Sequence, residues 1–243
     1  MAKPDCRLCG GTGWVVTERD GLCGADRCEC VANIRVQELE QKANIPRNYC
    51  EASFDSFDAD DPVFGSSLQA AMLQIKGYAN NYPLTDKPGL LIVGPAGSGK
   101  THLAVAALRE LLAHGHECVF FDYINLLDRI RASWDQASGA SDREVYRTAL
   151  ETEILLLDDL GSHRVNDWVQ DLVTSIITHR CNHKLPLIAT TNLADPEIAA
   201  SADYSLNLVD RIGERARSRL FEMCRVVRML GAPDYRVQHS VIR

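Results

Sequence analysis

An α/β fold, a parallel sheet flanked by helices with a small metal-bearing module ahead of it, is what this 243-residue sequence predicts. Three stretches predict it. The apolar run Leu90-Leu-Ile-Val93 leads into a glycine-rich octapeptide and then a helical pattern. A second run, Ile154-Leu-Leu-Leu157, closes on Asp158-Asp159, and Cys6-x-x-Cys9 is answered after 18 intervening residues by Cys28-x-Cys30. Strands separated by helical segments cannot join as hairpins; they pack as a parallel sheet with helices on its faces.

The octapeptide is the most specific of the three. Gly94-Pro95-Ala96-Gly97-Ser98-Gly99-Lys100-Thr101 completes G-x-x-x-x-G-K-[ST] between a buried strand and a helix with apolar positions Leu103, Ala106, Ala107, Leu111 and Leu112. In that setting backbone N–H groups and the positive end of the helix surround a phosphate, and glycine permits the close approach. Lys100 is expected to reach the outer phosphates of ATP and the Thr101 hydroxyl to hold Mg²⁺; His102 follows directly.

At 243 residues the chain builds one sizeable core with a small appendage. Hydrophobic content of 46% and charged content of 24% are those of a water-soluble globular protein. The opening Met-Ala-Lys-Pro-Asp-Cys has no apolar signal segment, and no run approaches the roughly 18 to 20 residues of a membrane span, which predicts a cytoplasmic protein with no membrane partner. A formal charge of -7 argues against a globally basic nucleic-acid binder and leaves room for a local basic strip. Nine cysteines in such a chain favour reduced thiols or metal ligands over disulfides.

Four thiolates in two close pairs, Cys6, Cys9, Cys28 and Cys30, suit a tetrahedral Zn²⁺, and a segment with few core residues needs such a staple. Cys23 is a rival ligand. Gly10, Gly11 and Gly13 follow the first pair, where the chain must reverse. Val31, Ile34 and Leu39 suggest a helix over 31–43, ended by Ile45-Pro46. Residues 1–53 thus read as a zinc-binding docking module and 54–243 as the core.

Within the core, Phe54 to Pro62 is an aromatic and acidic connector suited to walling an adenine pocket. Phe64, Leu68, Ala71, Met72 and Ile75 make residues 63–82 an amphipathic helix. His114-Gly115-His116 is a stop with a solvated cap, and Cys118 to Phe121 a buried strand. Tyr123 to Trp134 is a helix with Leu126, Leu127 and Ile130 on one face and Arg129 and Arg131 elsewhere; Ser138 to Ser141 is a break, and 142–152 is helical.

Asp158 and Asp159 end an apolar strand, where open α/β sheets present their ligands. Alternation turns the two carboxylates different ways, Asp158 toward Mg²⁺ and Asp159 toward the attacking water. After a helix over 168–181, the strand at Leu187 ends in Thr191-Asn192, whose amide is placed for the γ-phosphate, with Thr191 as competitor. Residues 209–243 carry eight arginines against Asp210, Glu214, Glu222 and Asp234.

In these motifs the chain resembles the DnaC/DnaI/IstB-type AAA+ ATPases, the replicative helicase loaders and their transposon-helper relatives. The resemblance rests on Gly94 to Leu103, Leu155 to Gly161, Ala189 to Leu193, Ser218-Arg219-Leu220 and Gly231 to Arg236. The cysteine pairs with Ala43 to Arg47 are similar to the zinc-bearing version. It implies an AAA+ P-loop core with a five-stranded parallel sheet, and it aligns Lys100 and Thr101 with Walker A, Asp158 and Asp159 with Walker B, and Asn192 with sensor 1. Arg219 aligns with the arginine finger that reaches a neighbouring subunit's ATP, Arg215 and Arg217 competing for that place, and Arg236 with sensor 2. The helices over 123–152 match an insertion that contacts single-stranded DNA, which gives Arg129 and Arg131 a phosphate role.

Two departures from the AAA+ pattern stand out. Asp159 replaces the usual glutamate, which implies slow hydrolysis, and the short C-terminus leaves little room for a helical lid. The implied function is an ATP switch that binds a hexameric replicative helicase and single-stranded DNA, self-associating through ATP-bridged interfaces. The alternative is an IstB-like transposase helper acting on duplex DNA.

Overall fold

The computed structural model describes residues 2–19, 22–61, 63–84, 86–134, 140–164, 166–193, 207–229 and 234–240. Pro62, residues 231–233 and the first half of the expected 138–141 break lie outside them, and the second half is no break, since a helix already runs from Ala140 to Glu151. The first ordered element is an antiparallel hairpin that the sequence reading did not place, β1 (Trp14–Arg19) with β2 (Leu22–Arg27). Helix α1 (Glu29–Lys42) follows and buries none of its residues. It stops before Pro46 is reached, because Asn44 at φ 56° takes the left-handed conformation that turns the chain out of the helix.

From that turn onward the chain sits on the core. Ala43 is fully buried and its carbonyl accepts the Phe120 N–H at 2.8 Å. Arg109 Nη1 donates to Ala52 O at 2.9 Å, tying down the stretch after the 3-10 turn Arg47–Tyr49.

The core sheet has strands β3 (Gly89–Val93), β4 (Cys118–Asp122), β5 (Ile154–Asp158), β6 (Leu187–Thr191) and β7 (Cys224–Arg228) in the order β4-β5-β6-β3-β7. Every pairing is parallel, as the AAA+ core requires. The helices are α2 (Gly65–Asn80), α3 (Lys100–Ala113), α4 (Tyr123–Trp134), α5 (Ala140–Glu151), α6 (Asp167–Asn182), α7 (Leu208–Met223) and α8 (Tyr235–Ser240).

Strand alternation divides the core in two. Leu90, Ile92, Leu156 and Ile188 face α2 and α3, while Leu91, Val93, Leu155, Leu157 and Ala189 face α4 to α7. Helix α3, which opens directly from the phosphate loop, buries Leu103, Leu108, Leu111 and Leu112 completely. At about 1.5–3 kcal/mol for each such side chain, this anchors the loop's helical end firmly. Asn166 Oδ1 caps α6 by accepting the Val169 N–H at 2.9 Å, whereas Asp61 Oδ1 accepts the N–H groups of Val63 and Phe64 at 2.8 Å in the turn ahead of α2.

Candidate nucleotide site and cysteine cluster

The phosphate loop leaves β3 at Val93 and turns into α3 at Lys100. Gly99 takes φ 88°, and a Cβ there would meet Phe57 Cε2 at 2.6 Å, so glycine is required both by conformation and by contact. Lys100 is buried, and Nζ donates to Pro95 O at 2.7 Å, folded back over the loop. Burial draws its ammonium below its ordinary pKa, a cost that Asp159 and Asp158 offset only in part.

A cleft of about 610 Å³ opens beside the loop, lined on the far side by Tyr49, Phe57, Asp58 and Leu68. Of the connector aromatics, Phe57 borders the cleft, while Phe54 is buried in the core. His102 clips the connector to α3: its Nε2 lies 2.9 Å from Ser53 O and 3.3 Å from Ser56 Oγ.

The two acids differ for a reason other than alternation. Asp158 is the last residue of β5 and is buried; Asp159 already lies in the turn, at φ 59°. Thr101 Oγ1 donates to Asp158 at 2.9 Å from Oδ1 and 3.1 Å from Oδ2. Two oxygens on adjacent corners of a Mg²⁺ octahedron are separated by about 2.9 Å, so this pair fits that ion. Burial pushes the Asp158 carboxyl above its ordinary range, against hydrogen bonds from Thr190 and Thr101.

Thr190 is a residue that sequence reasoning missed. Register pairs Leu157 with Ala189, which brings Thr190 beside Asp158, and Thr190 Oγ1 donates to Asp158 Oδ1 at 2.6 Å. The signal lies in the motif Ala-Thr-Thr-Asn, yet only the pairing of β5 with β6 shows which threonine faces the acid. Thr191, weighed against Asn192, has its hydroxyl committed to Leu160 O at 2.9 Å and is fully buried. Asn192 is exposed just past β6, between the strands that carry the phosphate loop and the acids.

On the C-terminal side, α8 folds back against the loop, where the Tyr235 N–H meets Gly97 O at 3.2 Å. Tyr235 and Arg236 line the cleft.

Arg219 lies elsewhere. Helix α7 delivers the chain into Cys224, which pairs with Gly89 at the start of β3, whereas the phosphate loop leaves the other end of that strand. Five helical residues span only about 7.5 Å, so Arg219 stands near the end of the strands opposite its own phosphate loop. There its Nη1 bonds Glu222 Oε2 at 2.6 Å. Arg217 stacks over Phe221 at 4.7 Å, and Arg215 is exposed. On α4, Arg129 lies over Phe121 at 5.8 Å and Arg131 over Trp168 at 4.7 Å. His116 is not a solvated cap: its Nδ1 is 2.7 Å from Glu153 Oε1.

At the N-terminal end, Cys6, Cys9, Cys28 and Cys30 bring their sulfurs within 4.8 Å of one another. The Cys6–Cys28 and Cys9–Cys30 separations are 3.7 and 3.6 Å. Four sulfurs at 2.3 Å from a tetrahedral ion stand about 3.8 Å apart, so the cluster fits Zn²⁺. N–H groups of Cys9 and Leu8 lower the Cys6 thiol to about 6, while Cys28 is pushed up to about 12 and Cys30 is raised, so one thiolate is shared among neighbouring thiols until a cation replaces their protons. Cys23, the rival ligand, is exposed on β2 opposite Glu18 and outside the cluster. Among the described residues no helix is long and apolar enough to cross a membrane.

The family model described as IstB-like ATP binding protein matches residues 35–241. The chain belongs to this IstB-like ATP-binding family. A crystal structure of the DnaC helicase loader superposes with a TM-score of 0.63 and is 32% identical, covering 75% of this chain and 99% of that one. The phage-like element PBSX protein XkdC of Bacillus subtilis is 24% identical over 233 residues, 92% of this chain and 80% of its own length. The replicative helicase loader DnaI of the same organism is 24% identical over 199 residues, 81% of this chain. The matched region spans 60% of DnaI. In this IstB-like chain the phosphate loop and Lys100 border the cleft.

Proposed function

We propose that this protein is an ATP-dependent loader of a replicative helicase, acting in the cytoplasm as an assembly and release switch on single-stranded DNA. The observation that carries the reading is the 32% identity to the DnaC helicase loader across nearly all of that chain. The site supports it. Lys100 leaves Pro95 O to bind the outer phosphates of ATP, Thr101 and Asp158 hold Mg²⁺, Asp159 orients the attacking water and Asn192 senses the γ-phosphate. Bound Mg²⁺ supplies charge neutralisation at the phosphates.

Arg219 stands too far from its own loop to serve it, so it acts on a neighbouring chain's ATP, and nucleotide occupancy then governs self-association. Asp159 carries its carboxylate one methylene closer to the backbone than glutamate would, which suits slow hydrolysis that times release. Residues 1–53, their first part ordered by Zn²⁺ on Cys6, Cys9, Cys28 and Cys30 and their last part seated on the core, dock the hexameric helicase. Arg129 and Arg131, braced over aromatic rings, contact DNA phosphates.

The test is capture of the host's replicative helicase by the full chain, with Mg²⁺ and ATP and with zinc present or chelated. Zinc-dependent capture is expected; failure to retain helicase in any condition overturns the loader reading. The match to an IstB-like model over residues 35–241 favours a second reading, a transposase helper. Filaments formed on duplex DNA with ATP, together with no helicase capture, would establish that one instead.

A further inference from the structure

The hydroxyl of Thr190 does more than satisfy a buried side chain. It donates to Asp158 Oδ1 at 2.6 Å, and it accepts the backbone N–H of Asp159 at 2.9 Å. Thr190 is 1% exposed, so water does not compete for either bond. The same residue's carbonyl accepts the Leu160 N–H at 2.8 Å, and one residue on, Thr191 Oγ1 donates to Leu160 O at 2.9 Å. The turn that carries Asp159 at φ 59° is therefore fastened to the end of β6 at several points, and among the described residues only Thr190 joins it to the Asp158 carboxylate as well.

We infer that Thr190 is a positioning residue for the metal site: one hydroxyl orients the Asp158 carboxylate that holds Mg²⁺ and fixes the turn that aims Asp159. The inference rests on the ATP-dependent reading above. Thr101 also bonds Asp158, but that hydroxyl is the second expected metal ligand, so it is oriented with the ion rather than independently of it. Thr190 then remains the donor that keeps Asp158 from rotating away. Partners that hold a metal ligand without touching the metal change affinity by roughly 10- to 100-fold when removed.

Thr190→Val removes the hydroxyl and keeps the branched shape; Thr190→Ser keeps the hydroxyl and drops the methyl. The measurement is binding of a fluorescent ATP analogue to the full chain, titrated with Mg²⁺ and repeated in its absence, with melting temperatures recorded for each variant. Thr190→Val is expected to raise the Mg²⁺ half-saturation by roughly tenfold or more while metal-free nucleotide binding stays put. Thr190→Ser is expected to stay within about threefold of wild type, the hydroxyl being the group that acts.

A folded Thr190→Val chain with a wild-type Mg²⁺ titration overturns the inference. So does a Thr190→Ser chain shifted by tenfold, which keeps the question decidable if the valine variant does not fold. A wild-type chain that binds no nucleotide removes the ATP reading and the inference together, and is told apart because it is seen before any substitution is made.

Discussion

Arg180 is completely buried, and all four of its hydrogen-bond acceptors are backbone carbonyls. Nη1 donates to Ala149 O at 3.0 Å and Leu150 O at 3.3 Å; Nη2 donates to Glu153 O at 3.1 Å and Pro186 O at 2.6 Å. The first two are last-turn carbonyls of α5 that no helical N–H can reach. The others precede β5 and β6, so one guanidinium joins the helix to the two strands that carry Asp158 and Thr190. Burial lowers its pKa from 12.5 to about 9, and the cation persists at neutral pH.

Arg180→Met keeps the length and deletes the donors. The four bonds from a charged donor are worth about 1.5–3 kcal/mol each, about 8 kcal/mol together with the 3.3 Å bond to Leu150 O at the low end. Against this stands the release of a buried charge, roughly 5 kcal/mol for a shift of about 3.5 pKa units. The net loss is about 3 kcal/mol, and at about 2–4 °C per kcal/mol for a chain of this size the melting temperature falls by about 6–12 °C. Thermal unfolding of the nucleotide-free chain at neutral pH, followed by circular dichroism, checks it. Arg180→Lys, whose single ammonium cannot span both strand starts, is expected to fall between the two. A methionine variant melting within about 2 °C of wild type would refute the role assigned to these bonds.

Lys100→Ala should weaken ATP binding by about a hundredfold, from the loss of charge-assisted bonds worth about 1.5–3 kcal/mol each, with little change in melting temperature; calorimetric titration decides, and retained micromolar affinity sinks the nucleotide assignment. Asp158→Asn should abolish the Mg²⁺ dependence of that binding while leaving the nucleotide-free chain as stable as wild type or more so. The sign follows from the raised pKa of Asp158: its ionised form is disfavoured in the folded chain, a cost fully present above the folded pKa and gone below the ordinary value of 3.8. The melting difference between variant and wild type should therefore narrow on acidification toward that value. Zinc chelation, or Cys28→Ser, should expose the amides of β1 and β2 to hydrogen exchange and leave those of β3 and β5 protected, because Cys9 and Cys28 are the only buried apolar side chains described before Ala43. Uniform protection after chelation would refute the metal's structural role.

The central strands were legible because parallel strands covered on both faces read as unbroken apolar runs, as at Leu90 to Val93 and Ile154 to Leu157. β7 was not, since Cys224-Arg-Val-Val-Arg228 is an edge strand with arginines at its exposed positions. The hairpin escaped although Asp20-Gly21 lies between its strands in the sequence, a pair that commonly marks a tight turn. Helix α7 was hidden by its charges, yet Leu208, Ile212, Ala216 and Leu220 recur every fourth residue and are all buried. The phosphate loop and its lysine are local in sequence and could be read directly. Thr190 could not, because its meaning depends on strand register, and neither could the way His102 holds the connector.

The placement of Arg219 and the phosphate loop toward opposite ends of the strands of one parallel sheet constrains the symmetry of the proposed assembly. A twofold dimer presents identical surfaces to each other, and it cannot seat the arginine of each chain against the loop of its partner unless both features share one face. In the proposed assembly, contact between these two features is directional, each chain offering a donor end and an acceptor end. Such an array either closes as a ring or runs on as a helix, and an open array has one terminal subunit whose nucleotide lacks an incoming arginine and another whose arginine meets no nucleotide. The two ends would then differ chemically, giving the assembly a polarity that a directional partner could read.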